Sequence, residues 1–460
     1  MYQNFLSALF LIFAATIVDG AARKSSVEQE NYTEQENSAE EKTCFCSWLD
    51  WKTATGDWNG FRNTLENKGV TISSNFTTDL GGNPVGGLKK SAAYSGFLDL
   101  SIALDFEKLI SLKGLALTIS NYLASGKNLS NDIGNLFGVQ EIYAPGNYFF
   151  GELDLSLSLL NDRLVLEAGR LFAGDVFMTN ELWQYYVSGG VNMNLNSIGS
   201  NIFFPEFNIA AWAVRISYQP NKNWQLVGGI YNADPKAKDT NKHGLYFSFD
   251  MDKGYLALGQ ISYKHHQNRE DNGLPGSAAF GSYYESSKFP ELADATQSQR
   301  GNYGLYFVFD QMLFRGDWPN FEGPQHLSSK ATYSDKVKHP YRKQTVVSKD
   351  RPKGLTLWGG AYLAPRESIN TQTYQLAGGL LYQGLFPGRA RDVTAFGIIL
   401  GKFSDKLAGQ GTETVLELNH RLQVGPWLYI TPDIQYVIKP NGRSNIPDAL
   451  VLGVEASVNF

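Results

Sequence analysis

From about residue 70 to its end the chain alternates. Leu98, Leu100, Ile102, Leu104 and Phe106 are interleaved with Asp99, Ser101, Ala103, Asp105 and Glu107, and Leu153, Leu155, Leu157 and Leu159 with Glu152, Asp154, Ser156 and Ser158. Trp212, Val214, Ile216 and Tyr218 oppose Ala213, Arg215 and Ser217, and in the last segment Leu450 through Phe460 opposes Glu455, Ser457 and Asn459. A period of two puts one set on a greasy face of a strand and the other on a polar face. The pattern predicts strands at 70–80, 93–107, 114–124, 148–160, 163–171, 207–219, 223–232, 244–251, 254–266, 302–314, 354–364, 374–386, 391–404, 412–424, 426–438 and 449–460. Sixteen is an even number, and each run is near the ~9–11 residues that a tilted strand needs to cross a bilayer.

The connections separate a membrane barrel from a soluble sandwich. Every second link is short, around 108–113, 161–162, 219–223, 251–253, 387–390 and 424–425, while those between run longer, as at 126–147, 172–206 and 266–301. Short turns on one rim and long loops on the other are the mark of a transmembrane antiparallel β-barrel. One link departs from this rule. Residues 315–352 fall where a short periplasmic turn is due, yet they form a long insert carrying Lys330, Lys336, Lys338, Arg342, Lys343, Lys349 and Arg351.

The N-terminus adds three pieces. Residues 1–22 hold an apolar stretch from Phe5 to Val18 followed by small residues, the shape of a signal peptide cleaved near Ala22. Residues 23–47 are acidic and poor in large apolar side chains, which predicts a disordered periplasmic tail. Attraction between this tail and the basic insert at the periplasmic mouth, or two independent solvated segments, both fit these charges. Residues 48–69 predict a short helix, with Thr55 as cap, Trp58, Phe61 and Leu65 at helical spacing, and Gly69 as stop.

Composition excludes other classes. No apolar run after the N-terminus approaches the ~18–20 residues of a spanning helix. A net charge of −5 with no basic stripe on the strands leaves no footprint for nucleic acid. The two cysteines, Cys44 and Cys46, suit an intermolecular disulfide or two unpaired thiols, and with no clustered His they make a poor zinc site. No cofactor is expected.

Specific residues then point to a family. Trp51, Gly56-Asp57-Trp58, Gly60, Arg62, Leu65 and Gly69 resemble the N-terminal signature of the carbohydrate-selective porin (OprB) family. Leu380 through Asp392, and the stretch from Glu413 to Tyr436 with its Pro426-Trp427 and Pro432-Asp433 steps, resemble that family's strand–turn and penultimate hairpin. The resemblance covers residues 48–460. It implies a passive, sugar-preferring channel in the bacterial outer membrane, narrowed by extracellular loops that fold into the lumen. Small sugars, outer-membrane lipid and lipopolysaccharide, and the barrel-assembly machinery are then the expected partners, and Phe460 resembles the aromatic C-terminal assembly signal. Monomers and trimers both remain open.

Alternation names the residues expected on the lumen wall. A sugar requires flat apolar faces for its C–H groups and polar groups for its hydroxyls, held weakly enough to leave again. The aromatic candidates are Trp358, Tyr362, Trp427 and Tyr429. The polar candidates are Asp99, Asp105, Glu152, Asp154, Glu167, Arg215, Glu413, Glu417, Arg421, Asp433, Gln435 and Glu455. This mixed, acid-leaning set does not form the basic ladder of an anion channel, and leaves a general, weakly cation-leaning porin as the rival. A hydrolase is a weaker reading, because no nucleophile elbow, metal spacing or phosphate loop sits at a strand end.

Overall fold

Sixteen antiparallel strands close on themselves, each hydrogen-bonded to its sequence neighbours and the last to the first. The computed structural model describes residues 48–317 and 351–460. The first eight strands are β1 (Val70–Val85), β2 (Ala92–Asp105), β3 (Leu115–Gly126), β4 (Tyr148–Leu159), β5 (Leu164–Leu171), β6 (Ala211–Tyr218), β7 (Trp224–Asn232) and β8 (Tyr255–His265). The others are β9 (Gly276–Pro290), β10 (Ser298–Arg315), β11 (Gly354–Leu363), β12 (Gln372–Gln383), β13 (Val393–Phe403), β14 (Thr412–Gly425), β15 (Leu428–Ile438) and β16 (Ala449–Asn459). Closure between β1 and β16, with Thr77 opposite Ser457 and Asp79 opposite Glu455, removes the sheet edge.

The expected count of sixteen holds through two compensating errors. Residues 244–251 are not a strand, and β9 was missing from the expected set. The assumed turn at 251–253 is therefore part of the β7–β8 loop. The assumed loop 266–301 contains a short turn, β9 and a second short link. The parity of every strand after β10 is unchanged, so the link between β10 and β11 still belongs to the rim of the short turns. The signal segment 1–22, the acidic tail 23–47 with its cysteines, and residues 318–350 of the basic insert lie outside the described residues.

The two faces differ as the alternation requires. Leu155, Val214, Ile216, Ile230, Phe280, Leu305, Leu418 and Leu452 are exposed on the outer wall, while Glu152, Asp154, Glu413, Glu417, Gln435 and Glu455 on the inner wall are fully buried. What buries them is returning chain. The β3–β4 loop (127–147) and the β5–β6 loop (172–210) place Leu129, Ile133, Phe137, Trp183, Tyr186, Val191 and Leu195 in one core cluster with the inward Trp358, Tyr362, Ile399 and Val415.

The N-terminal segment docks on the short-turn rim. Trp48 packs against Trp427 with centroids 4.3 Å apart and ring planes tilted by 45°, Trp427 Nε1 donates to Trp48 O at 3.0 Å, and Ala54 N donates to Asn459 O at 2.8 Å. Helix α1 spans Phe61–Asn67 and starts after Gly60 with no side-chain cap, so Thr55 does not serve as its N-cap. Thr55 Oγ1 accepts instead from Trp58 Nε1 at 3.1 Å and Arg62 Nη2 at 3.3 Å, and the Arg62 guanidinium stacks over the Trp58 ring. Those contacts give Trp58 and Arg62 of the N-terminal signature a physical role, with Thr55 as their shared acceptor.

Candidate functional site

A loop inside a barrel must find partners for its backbone groups, since each unpaired buried N–H or C=O costs free energy. The β5–β6 loop finds them on the inner wall in chain order. Arg215 Nη1 donates to Phe172 O at 2.9 Å, Gln260 Oε1 accepts from Met178 N at 3.2 Å, and Asn180 Nδ2 donates to Asp310 at 3.0 Å. Across the barrel Arg421 Nη2 donates to Gln184 O at 2.7 Å, Asn419 Nδ2 to Tyr185 O at 3.0 Å, and the two oxygens of Glu417 accept from Val187 N and Ser188 N at 2.8 and 3.0 Å. Gln375 Oε1 then accepts from Ser197 N at 2.9 Å, Asn201 Nδ2 donates to Tyr362 OH at 2.9 Å, and Glu285 accepts from Phe203 N at 2.7 Å. Inward carboxylates and amides thus hold the loop along its length.

Aromatic packing fixes the middle of this loop. Trp183 and Tyr186 meet Trp358 edge-on, at centroid distances of 5.8 and 5.1 Å. Burial pushes the Tyr186 hydroxyl up in pKa, so it remains a protonated donor to Phe396 O at 3.0 Å. The β3–β4 loop is held the same way: Glu413 accepts from Leu136 N and Phe137 N at 2.8 Å each, and Gln435 Nε2 donates to Val139 O at 2.9 Å. The two loops meet where Gly189 N donates to Gly138 O at 2.7 Å.

Between these loops and strands β1–β3 remains a narrow cleft that opens to solvent. Rings line one part: Phe97 and Phe207 are 4.3 Å apart, Tyr122 and Phe207 5.7 Å, and Tyr122 and Phe172 6.2 Å. Asp99, Glu141 and Asp175 line the rest with Asn75 and Thr77, and no Lys or Arg is among the described lining residues. Glu167 and Arg215 stand on the neighbouring wall as a bidentate pair, 2.6 and 2.5 Å apart. Rings beside carboxylates and amides suit a solute with apolar C–H faces and many hydroxyls.

The model of the carbohydrate-selective porin, OprB family, matches residues 89–460. The chain belongs to this family. It is 24% identical over 445 residues to Porin B of Pseudomonas aeruginosa, covering 89% of this chain and 91% of the relative. It is also 24% identical over 429 residues to the putative porin QuiX of Acinetobacter baylyi, covering 88% and 92%. Among solved structures, OprB of Pseudomonas putida at high pH superposes with a TM-score of 0.75 at 22% identity, over 89% of this chain and 99% of that one. The low-pH structure of the same protein gives a TM-score of 0.56 at 20% identity over the same shares. This member of the carbohydrate-selective porins is therefore a channel protein of the bacterial outer membrane.

Within this porin the expected lumen residues part into three groups. Asp99 lines the cleft, with Glu152, Asp154, Glu167 and Arg215 on the adjoining wall. Glu413, Glu417, Gln435, Trp358 and Tyr362 face inward as expected but lie beneath the loops that they hold. Asp433 accepts from Gln435 Nε2 at 2.9 Å, and the Arg421 guanidinium lies 3.9 Å from the Tyr429 ring and 4.9 Å from the Tyr185 ring, with Glu455 3.5 Å away. The third group sits at the turns. Asp105 caps helix α2 (Phe106–Ile110) through Glu107 N at 3.0 Å, and Trp427 packs on Trp48. Phe460 N donates to Ser74 O at 2.9 Å, next to the closure seam.

Sequence reasoning missed Phe97, Tyr122, Phe172, Phe207, Glu141 and Asp175. Phe97 and Tyr122 are inward by the register that pairs Phe97 with Ala124 and Asp99 with Tyr122, a signal available from strand alternation. The other four lie on the two loops, where no periodicity reports orientation.

Proposed function

We propose that small sugars cross this porin passively through the cleft between the two inward loops and strands β1–β3, with the β5–β6 loop setting the narrowest part. The observation that carries this reading is the run of rings from Phe97 through Tyr122 and Phe207 to Phe172 beside Asp99, Glu141 and Asp175. Stacking on the rings and exchange of hydroxyl hydrogen bonds with the carboxylates favour entry without trapping the solute. The same carboxylates make ion flow weakly cation-leaning. Removal of residues 1–22 on export, a periplasmic tail and insert, contact with lipopolysaccharide, and delivery by the barrel-assembly machinery through Phe460 complete the proposal; it includes no catalytic role.

Planar-bilayer conductance with a panel of mono- and disaccharides tests it. Added sugar is expected to block the current, and Phe207→Ala to weaken that block several-fold. No block by any sugar would leave the general diffusion porin as the reading. Asp175→Asn is expected to move the reversal potential in a salt gradient away from cation preference.

A further inference from the structure

Strands β5, β6 and β7 contain 8, 8 and 9 residues, whereas every other strand contains 10 to 18. Eight residues at a rise of ~3.3 Å and a tilt near 45° climb roughly 19 Å, short of the apolar band of about 25 Å that a barrel presents to lipid. Something else must finish the outer wall there.

Residues 243–251 of the β7–β8 loop lie on that part of the wall, on its outside. Arg170 of β5 pairs with Leu153 and Trp212, which share the outward parity of Leu155 and Val214, so its guanidinium points away from the lumen. A bare outward cation at this level would be costly. Arg170 is instead fully buried, donating to Gly244 O, to Tyr246 O at 3.3 Å and to Ala210 O at 2.9 Å, with its carbon 4.9 Å from the Phe247 ring.

The segment is fixed at both ends. At one end His243 O accepts from Phe150 N at 2.8 Å, on the portion of β4 that rises beyond its last pairing with β5. Trp212 Nε1 donates to Phe247 O at 3.0 Å, and at the other end Asn232 Nδ2 of β7 donates to Asp250 O at 2.8 Å. Gly244, at φ 70°, passes so close to β4 that an added Cβ would stand 2.1 Å from Phe150 O. The resulting strap runs from β4 to β7 across the short strands, with Leu245, Phe247, Phe249 and Met251 exposed by 54, 43, 66 and 38%.

We propose that this strap is embedded in the outer leaflet, where its apolar side chains meet lipid acyl chains and complete the lipid-facing wall over β5–β7. Arg170 is the clamp that holds it there. Carbonyls of the strap at His243, Gly244, Tyr246, Phe247 and Asp250 accept hydrogen bonds from the barrel, while its greasy side chains Leu245, Phe247 and Phe249 are exposed; pairing of backbone groups is what favours an element in hydrocarbon.

Nitroxide labelling in lipid bilayers tests this directly. In the full chain carrying Cys44→Ser and Cys46→Ser, labels are placed by Phe249→Cys, by Leu226→Cys on β7 as the lipid reference, and by Asn241→Cys as the water reference. Collision with oxygen relative to a nickel chelate is then measured by power saturation. At position 249 the ratio is expected to match that at 226 and to exceed that at 241 several-fold. A ratio like that at 241 would overturn the proposal, and protection from both agents would overturn it in favour of a second copy covering the strap. Adding Arg170→Lys, whose single ammonium cannot span three carbonyls, is expected to raise chelate access at 249 several-fold while the barrel keeps its heat-resistant mobility. Unchanged access would remove Arg170 as the clamp, and if that variant does not assemble, the label ratio with Arg170 intact decides the placement of the strap.

Discussion

The indole N–H of Trp358 donates to the Tyr186 hydroxyl at 2.7 Å, with the two ring planes crossing at 72°. One residue is on the wall and the other on the β5–β6 loop, and both are fully buried. Trp358 therefore positions the loop. Trp358→Ala is expected to destabilise the porin by about 3–5 kcal/mol, through the lost ring and the cavity left behind. Single-channel records should show larger, noisier openings. Were Trp358 a sugar platform, sugar block would fall with thermal stability unchanged.

Glu417 makes a sharper test of how the loop is held. Its carboxylate satisfies the Val187 and Ser188 N–H groups together, so Glu417→Ala leaves two buried donors unpaired, at about 1–3 kcal/mol each. Faster thermolysin cleavage within 172–210 is expected, with the strands still resistant. Glu417→Gln keeps one acceptor oxygen and should fall between the two.

Glu206 gives the loop a pH dependence. Desolvation in the lumen pushes its carboxyl from the usual 4.5 up to about 7, with Glu141 adding to the rise and Lys238 opposing it. The folded state then holds the proton more tightly than the unfolded chain. The associated stability is fully present below about 4.5 and is lost as pH rises through about 7. Thermal midpoints should fall across that window, and cation preference in bilayers should rise. Glu206→Gln should flatten both profiles.

Leu155 checks the orientation of the wall. It is exposed by 44% on the outer face of β4, between Leu117 and Ala168 on the flanking strands. Leu155→Arg is expected to cost on the order of 2–4 kcal/mol, less if it lies near an interface. A denaturant titration of folding into lipid vesicles measures this; normal stability would mean that the face is assigned wrongly.

Phe460 separates assembly from conduction. Its backbone N–H caps the closure seam at Ser74, and its removal deletes no residue of the cleft. Deleting it should slow insertion by the assembly machinery while leaving single-channel conductance unchanged. Insertion at the normal rate would remove its role as an assembly signal.

Much of this structure was legible in the alternation itself. Lipid and water act on opposite faces of every strand, so Leu98 against Asp99 or Val454 against Glu455 records which face each residue takes, whatever the partner strand. The pattern misled where an apolar environment and strand pairing part company. Residues 245–251 alternate as clearly as any strand because their side chains face outward from the wall, yet their backbone bonds to Arg170, Trp212 and Asn232 instead of a ladder. β9 was hidden for the converse reason: its outward residues Ala278, Phe280, Ser282 and Tyr284 contrast too little with inward Tyr283 and Gly281, although it is paired on both sides, with β8 over Gly276–Glu285 and with β10 over Gly276–Pro290. Inwardness was likewise readable for Glu413, Glu417 and Trp358, but whether they meet water or returning chain depends on where two long aperiodic loops go. Local periodicity thus determined the barrel and its faces, and only the tertiary path of those loops decided which inner-wall residues border the open cleft.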